Sequence, residues 1–399
     1  MRIAIYSDNF YPELSGISDS VISLARTLAG RGHAIAFFVP AYAPGDYAAA
    51  NVPHRELDLG PNVEIHRFAS FPYCATGTGH ARFVIPIGLR AMQVSRFRPD
   101  IIHTQLFFGV GLEALFAGRA LGLPVVGTNH TALKEFLNYS PIKSAWFNTA
   151  LLAYVNWYYE QCAIVTAPSK SVFDEMVALG FKGAHTEVTP NPIDIMTFRP
   201  STDRTALKKK FGLSDATVIH AGRLSDERSP EVLIKALALI KKNIPRAMLV
   251  FAGKGSSEQK LRALAGSLGV ADSVKFLGFL DQATLNEAYN ASEVFAIAST
   301  ADTQSMVMMQ AMASGIPVVG VRARGIPEYV NDKNGFLVAP NDEHAMAERI
   351  GFLLNHPADA KTLGAGARTY AERFSEDAIA ARWEKIYETA IKDYNEGTV

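Results

Sequence analysis

The chain has 399 residues, with 39 Lys and Arg matched by 39 Asp and Glu, a length that suits two domains of about 200 residues, each with its own core. A formal net charge of zero supplies no global field for a nucleic acid, whose binding rests on neutralising phosphates. Its two cysteines, Cys74 and Cys162, lack the spacing of a disulfide framework or of a structural zinc site, which fits a reducing cytoplasm.

The opening MRIAIYSDNFYPE holds a short apolar run broken by Asp8 and Glu13, and reads as a first strand rather than a signal peptide. Short β-branched runs then alternate with longer helical patterns, as expected for parallel strands joined by crossover helices. In the first half these runs are RIAIYS, AIAFFVP, VEIHRF, DIIHTQ, PVVGTNH, AIVTAPS and TEVTPN. Between the first two, ISDSVISLARTLAGRGH places Val21, Leu24, Ala25 and Leu28 on one face, with Gly30 and Gly32 as stop signals. The uncharged SAWFNTALLAYVNWYY falls short of the roughly 20 apolar residues that cross a bilayer, so a soluble or peripheral protein is expected. Near the middle, NPIDIMTFRPSTDRTALKKKFG interrupts the alternation and reads as an interdomain linker. A second series follows: TVIHAGR, AMLVFAG, SVKFLGF, EVFAIAS, PVVGV and FLVAP. The expected fold class is α/β, with two doubly wound Rossmann-like domains facing across a cleft.

Doubly wound sheets bind ligands beyond the carboxyl ends of their strands. Polar residues just after strands are therefore the candidates: Asp8 and Ser15-Gly16, His130, Arg223, Gly253 and Gly255, and Asp302. In HAGRLSDERSP, Arg223 and Arg228 offer two guanidinium forks five residues apart, a pattern that suits a diphosphate. The plainer alternative pairs them on the surface with Asp226 and Glu227. In ADTQSMVMMQAMASG a helix starting near Thr303 would add unpaired N–H groups and a macrodipole favouring an anion. Asp302 is then either a ligand contact or simply the N-cap. His130 is either a structural hydrogen-bonder or a functional group at a strand end, whereas His103 alternates with apolar neighbours and reads as structural. The GKG of residues 253–255 lacks the rest of a GxGxxG fingerprint, and no P-loop or nucleophile elbow occurs.

The ordered series FYPELSG (10–16), Gly32-His33, PDIIH (99–103), TNHT (128–131), VTAPS (165–169), NPID (191–194), GRLSDER (222–228), VKFLGF (274–279) and QAMASGIPVVG with GIPEYV and NGFLV after it carries a resemblance over essentially the whole chain. The chain resembles the retaining nucleotide-sugar glycosyltransferases of the GT-B fold, glycosyltransferase family 4. The resemblance implies domains at 1–190 and 191–375, with a C-terminal helix near 376–399 packing back on the first. It implies a hexosyltransferase that moves a hexose from UDP- or GDP-sugar to a hydroxyl of a lipid, glycan or small molecule. Retention of configuration and hinge closure are implied too, with no metal and no cofactor beyond the donor. His130, Arg223, Arg228 and Asp302 would be catalytic. Gly16 and Gly253 would line the donor site. The backbone N–H groups of Gln304, Ser305, Met306 and Val307 would face the diphosphate and sugar, and Gln310 the ribose. Asp302 and Gln310 stand where the family has two glutamates, and eight helical residues between them would rise about 12 Å, the span from hexose to ribose. A neutral amide accepts a weaker hydrogen bond than a carboxylate.

Other departures are Arg228 in place of a usual Lys, Ser15-Gly16 for Gly-Gly, which leaves only Gly16 for unrestricted backbone approach, and Arg324 within Ala323–Gly325 for small-Gly-Gly. A sugar-nucleotide epimerase, a phosphorylase carrying pyridoxal phosphate and a non-catalytic nucleotide-sugar-binding protein remain open. On the acceptor side, Arg82 and the FVIPIGLRAMQVSRFR after it carry four arginines and no acid, and WFNTALLAYVNWYY is rich in aromatics. Such surfaces suit peripheral contact with an anionic membrane, and ordinary packed helices with snorkelling arginines are the alternative.

Overall fold

The computed structural model describes residues 1–13, 15–72, 82–138, 144–183 and 185–398, so Cys74 lies outside the described residues. The chain divides into two compact units, Met1–Pro192 with Glu376–Val399, and Ile193–Ser375.

The strands of the first unit are β1 (Arg2–Tyr6), β2 (Ala34–Pro40), β3 (Val63–Phe68), β4 (Phe71–Pro72), β5 (Arg82–Phe83), β6 (Ile101–Thr104), β7 (Val125–Thr128), β8 (Ile164–Ala167) and β9 (Thr186–Val188). Seven of them form one parallel sheet in the order β3-β2-β1-β6-β7-β8-β9, reversing direction of growth at β1 as a doubly wound sheet does. The antiparallel pair β4 and β5 is too short to leave a periodic signal. Helices cover both faces of the sheet, which is why β2 reads as one continuous apolar run and is buried along nearly its whole length. The helix Gly16–Gly30 turns Val21, Leu24, Ala25 and Leu28 into the core, and Gly32 makes the following turn at φ 95°.

The helix Glu376–Asn395 packs against Gly16–Gly30. Its Glu384 accepts from Nε and Nη2 of Arg31 at 2.9 and 2.8 Å and lies 2.9 Å from Nε2 of His33. The Arg31 hydrogen bonds pull the Glu384 carboxyl down to about 2. Trp383 and Tyr387 on the same helix are buried.

The second unit carries β10 (Thr217–Ala221), β11 (Met248–Ala252), β12 (Val274–Gly278), β13 (Val294–Ile297), β14 (Val318–Val321) and β15 (Gly335–Val338). They make a parallel sheet ordered β12-β11-β10-β13-β14-β15. The stretch expected to be a linker belongs mostly to this unit. Ile193 and Phe198 are buried in its core, and Arg204–Phe211 is a helix capped by Asp203. The turn signals that suggested a linker have local partners: the Asp194 carboxylate accepts from the backbone N–H groups of Met196 and Thr197 at 3.0 and 2.9 Å. The basic run lies in the last helical turn, where cations meet the negative end of the macrodipole.

Candidate donor site and family

In the second unit the chain leaves β10 through Gly222 at φ 124° and runs beside the loop that leaves β11. The two loops are laced together, with Gly222 N–H donating to Ala252 O at 2.9 Å and Leu224 N–H to Lys254 O at 3.0 Å. This contact explains the glycines after β11. A Cβ on Gly253 would stand 1.9 Å from Gly222 O, and one on Gly255 2.1 Å from Leu224 O. Gly253 therefore lets two backbones meet.

Arg223 and Arg228 do not converge. Arg223 is 49% exposed and lies 3.8 Å from Glu227. Arg228 ends a short 3-10 turn followed by Ser229 in the left-handed region at φ 48°. The turn sends its guanidinium inward, where Nη2 forms an ion pair with Asp302 Oδ1 at 3.2 Å, with side-chain exposures of only 19% and 7%. Of the two surface pairings considered for the arginines, only that of Arg223 with Glu227 forms. Gly222 makes room for this arrangement, since a Cβ there would meet Arg228 Nη1 at 3.3 Å and Val307 Cγ2 at 3.8 Å.

The helix expected near Thr303 begins later, at Met306, and runs to Ala313 with Ser305 at the N-cap. Asp302 is not the N-cap, and Asp302 to Gln310 is not a helical rise of eight residues. The segment before the helix is held by a remote contact, Gly325 N–H donating to Asp302 O at 3.1 Å, which a periodic reading cannot contain. Arg324, just before that donor, adopts φ 49°. Within the helix the first ladder bond is Met309 N–H to Ser305 O at 3.0 Å, so the N–H groups of Met306, Val307 and Met308 have no intrahelical acceptor. Ser305 does not cap them with its side chain. Its Oγ, together with Asp302 Oδ2 and Gln310 Oε1, is buried without a hydrogen-bond partner. Buried polar atoms ordinarily find partners. Two of these orphans, on Asp302 and Ser305, lie at the helix mouth, and the third, on Gln310, lies more than a turn along the helix. Gln304 is buried beside them.

His220 was not a sequence candidate, because it alternates within an apolar strand. It is fully buried, its Nδ1 donates to Ala296 O at 3.0 Å, and its Nε2 has no partner. Burial pushes its pKa to about 4, with Arg228 adding to the effect and Asp302 opposing it. The unfolded chain titrates this ring near 6.5, so it binds more protons than the folded state below that pH. Stability contributed by neutral His220 is full above about pH 6.5 and lost by about pH 4, on the order of 3 kcal/mol. Urea unfolding of the wild type and His220→Phe at pH 7 and pH 4.5 should show the wild type losing more. Equal losses would remove this assignment.

In the first unit the backbone N–H of Gly16 has no intrahelical acceptor. Gly16 is the first residue of its helix, and Ser15 caps that helix by accepting from Ser18 N–H at 3.2 Å. Asp8, after β1, accepts from the N–H groups of Val110 and Gly111 at 2.9 and 3.3 Å. It thereby caps the helix Gly109–Leu121, which has no side-chain cap of its own. Burial raises its pKa to about 7 in spite of those bonds. His130 follows β7 and its Nε2 lies 2.8 Å from Oε1 of Gln105, a residue the sequence reading passed over although it too follows a strand. Burial pushes the His130 pKa to about 4. Neighbouring Asn129 is buried with Nδ2 unpartnered. Among the described residues no group of three or more His, Cys, Asp or Glu is gathered as a metal ion would require.

Two doubly wound parallel α/β sheets in one chain have the architecture of the GT-B fold, and solved structures share it. The Anabaena protein Alr3699/HepE, solved in complex with UDP, matches it with a TM-score of 0.76 at 23% identity, covering 98% of this chain and 100% of that one. Sucrose-phosphate synthase from Thermosynechococcus elongatus matches with a TM-score of 0.75 at 21% identity, covering 97% and 98%. The chain belongs to glycosyltransferase family 4: residues 14–196 match the profile described as Glycosyltransferase Family 4, and residues 203–370 that of Glycosyl transferases group 1. Among curated relatives, alpha-monoglucosyldiacylglycerol synthase of Streptococcus pneumoniae is 28% identical, over 83% of this chain and 73% of its own length. The synthase of the same name from Acholeplasma laidlawii is 24% identical over 99% and 98%, and D-inositol 3-phosphate glycosyltransferase of Streptomyces scabiei is 26% identical over 96% and 88%.

Proposed function

We propose that this glycosyltransferase moves a hexose from a UDP- or GDP-sugar to a lipid hydroxyl with retention of anomeric configuration. The observation that carries the donor reading is the set of orphaned buried atoms at the mouth of Met306–Ala313 and one turn along it, with the Arg228–Asp302 pair. Asp302 keeps Oδ2 for a sugar hydroxyl while Arg228 holds Oδ1. The remaining N–H groups of Arg228 and those of Met306 and Val307 then meet the diphosphate, whose charge grows as the glycosidic bond breaks. Gln310 receives the ribose. Arg223, half exposed beside Glu227, supplies outer charge only. His130 is assigned the reactive face of the donor sugar by resemblance.

A lipid acceptor is favoured by the names of two relatives, both synthases of monoglucosyldiacylglycerol, and by the surface around residues 85–98. Leu89 and Met92 are 75% and 76% exposed, with Ile85 and Ile87 also outside the core. The arginines there divide in role. Arg82 pairs with Asp46, and Arg90 donates to the buried Glu113 at 3.0 Å, so these two serve the fold. Arg96 and Arg98 are exposed. No described helix is long and apolar enough to cross a membrane.

The test is release of nucleotide from UDP-glucose and GDP-mannose, with and without vesicles holding diacylglycerol and an anionic lipid, with the product anomer read by NMR. Release that requires the vesicles and yields an α-linked glucolipid supports the proposal. An epimerised donor without acceptor would favour the epimerase, and no release would favour a binding protein. In vesicle flotation, Leu89→Ser with Met92→Ser should weaken binding about tenfold or more, each inserted side chain contributing roughly 1 kcal/mol. Unchanged flotation would remove the membrane surface.

A further inference from the structure

The strand ends of the first unit hold a buried hydrogen-bonded chain to which the function above assigns no task. His103, on β6, is fully buried, with Nδ1 2.8 Å from the hydroxyl of Tyr387 and Nε2 2.7 Å from Oγ1 of Thr128. Thr128 Oγ1 is in turn 2.7 Å from Thr166 Oγ1, on the neighbouring strand β8. The Trp383 ring covers the imidazole at 4.3 Å between centroids. With both nitrogens engaged and one face covered, this ring has a single orientation. Tyr387 and Trp383 both come from the helix Glu376–Asn395.

Gln105 lies two residues beyond His103, on the same side of the extended chain, and is buried. Its amide nitrogen stands 3.0 and 3.3 Å from Nε2 and Nδ1 of His103. Its oxygen faces the other way, 2.8 Å from Nε2 of His130. An amide oxygen only accepts, so His130 must donate, which places its proton on Nε2 and makes Nδ1 the acceptor nitrogen of the neutral ring. We propose that Gln105 is a positioning residue for sugar transfer: it fixes His130 in one orientation and one tautomer, with a constraint that reaches it from Tyr387 on the C-terminal helix through His103. The proposal rests on the assignment of His130 to the transfer reaction.

Two consequences follow from the chemistry. In the Nε2–H tautomer, Nδ1 of His130 can accept a hydrogen bond and cannot donate one. Burial keeps the ring neutral, its pKa pushed to about 4, with His103 beside it pushed to about 3, so the tautomer persists through the neutral range.

The test combines 15N-histidine NMR with turnover of UDP-glucose in full-length Gln105→Leu, Gln105→Glu, Tyr387→Phe and His130→Ala proteins. The wild type should show a single Nε2–H tautomer for His130. Gln105→Leu should mix the tautomers and lower kcat by about tenfold or more, within the range of one lost catalytic hydrogen bond, with little change in KM. Tyr387→Phe should act in the same direction more weakly. Gln105→Glu, equal in shape, keeps the test open where the leucine variant does not fold. Its carboxylate should raise the His130 pKa and the acid limb of the rate profile by roughly one to three units. An unchanged tautomer in Gln105→Leu overturns the proposal, as does a changed tautomer with unchanged kcat. The His130→Ala protein separates the two levels: full turnover there removes His130 itself from the reaction, whereas lost turnover with an unaffected Gln105→Leu enzyme rejects Gln105 alone.

Discussion

Replacing Arg228 with alanine is expected to slow nucleotide release from UDP-glucose by roughly 10²- to 10³-fold, the cost of removing one preorganised donor from a charge that grows in the transition state. Two roles fall together in this residue. Its Nη2 holds Oδ1 of Asp302 at 3.2 Å in a site that is nearly closed to solvent, so the pair is screened little by water. Its Nη1 lies where it would touch a Cβ on Gly222, beside Val307 in the first turn of the helix. Arg228→Ala therefore removes the charge and also leaves Asp302 without its cation, and the folded protein should lose stability as well as rate. Arg228→Lys should recover only part, because one ammonium cannot span the carboxylate and a phosphate as a planar fork does. Arg223→Ala is the control. Exposed and paired weakly with Glu227, Arg223 should cost far less. Full turnover in a folded Arg228→Ala enzyme would undo the donor site as proposed.

The contrast between the two arginines shows where sequence reasoning stops. Their spacing of five suggested a shared target, but the direction of Arg228 is set by a 3-10 turn and by the left-handed Ser229, followed by a carboxylate on another loop. The strands were legible because a parallel strand buried on both faces is one apolar run, a property of adjacent residues alone. The start of the helix at Met306 was not, because an Asp followed by small polar residues looks like a cap. What delays the helix is the N–H of Gly325 on the carbonyl of Asp302. His220 and Gln105 escaped for the same reason. Each is an ordinary polar residue in a strand pattern, and each gains meaning only from partners across the sheet, Ala296 for one and His130 for the other. The apparent linker shows the converse, since its turn residues were read correctly as turns but Ile193 and Phe198 between them are core.

Arg368→Met is expected to destabilise the second unit by on the order of 3 kcal/mol, read as a lower urea midpoint with an unchanged slope. Arg368 stands on the helix Pro357–Ala371. Its Nη1 donates to the carbonyls of Ile195, Phe198 and Ala313 at 3.2, 2.8 and 2.9 Å, and its Nε to Glu372 at 2.7 Å. Ala313 is the last residue of the donor-site helix, whose final carbonyls have no partner within the helix and carry its negative end. One cation thus neutralises the back of that helix and ties to it the turn by which the chain enters the unit. The close approach is possible because residue 364 is glycine, where a Cβ would stand 2.3 Å from Gly315 O. Methionine fills much the same volume and supplies no donor, so it leaves three carbonyls facing an apolar chain. Lysine keeps the charge at a single point and should restore about half the loss. Because the same helix presents its opposite end to the proposed donor site, Arg368→Met should also weaken nucleotide binding, although Arg368 is not among the residues proposed to contact the diphosphate or the sugar. Calorimetric titration with UDP would register this. A variant with normal urea stability and normal UDP affinity would show that the three carbonyls are satisfied without the arginine and that the helix mouth does not depend on how its far end is held.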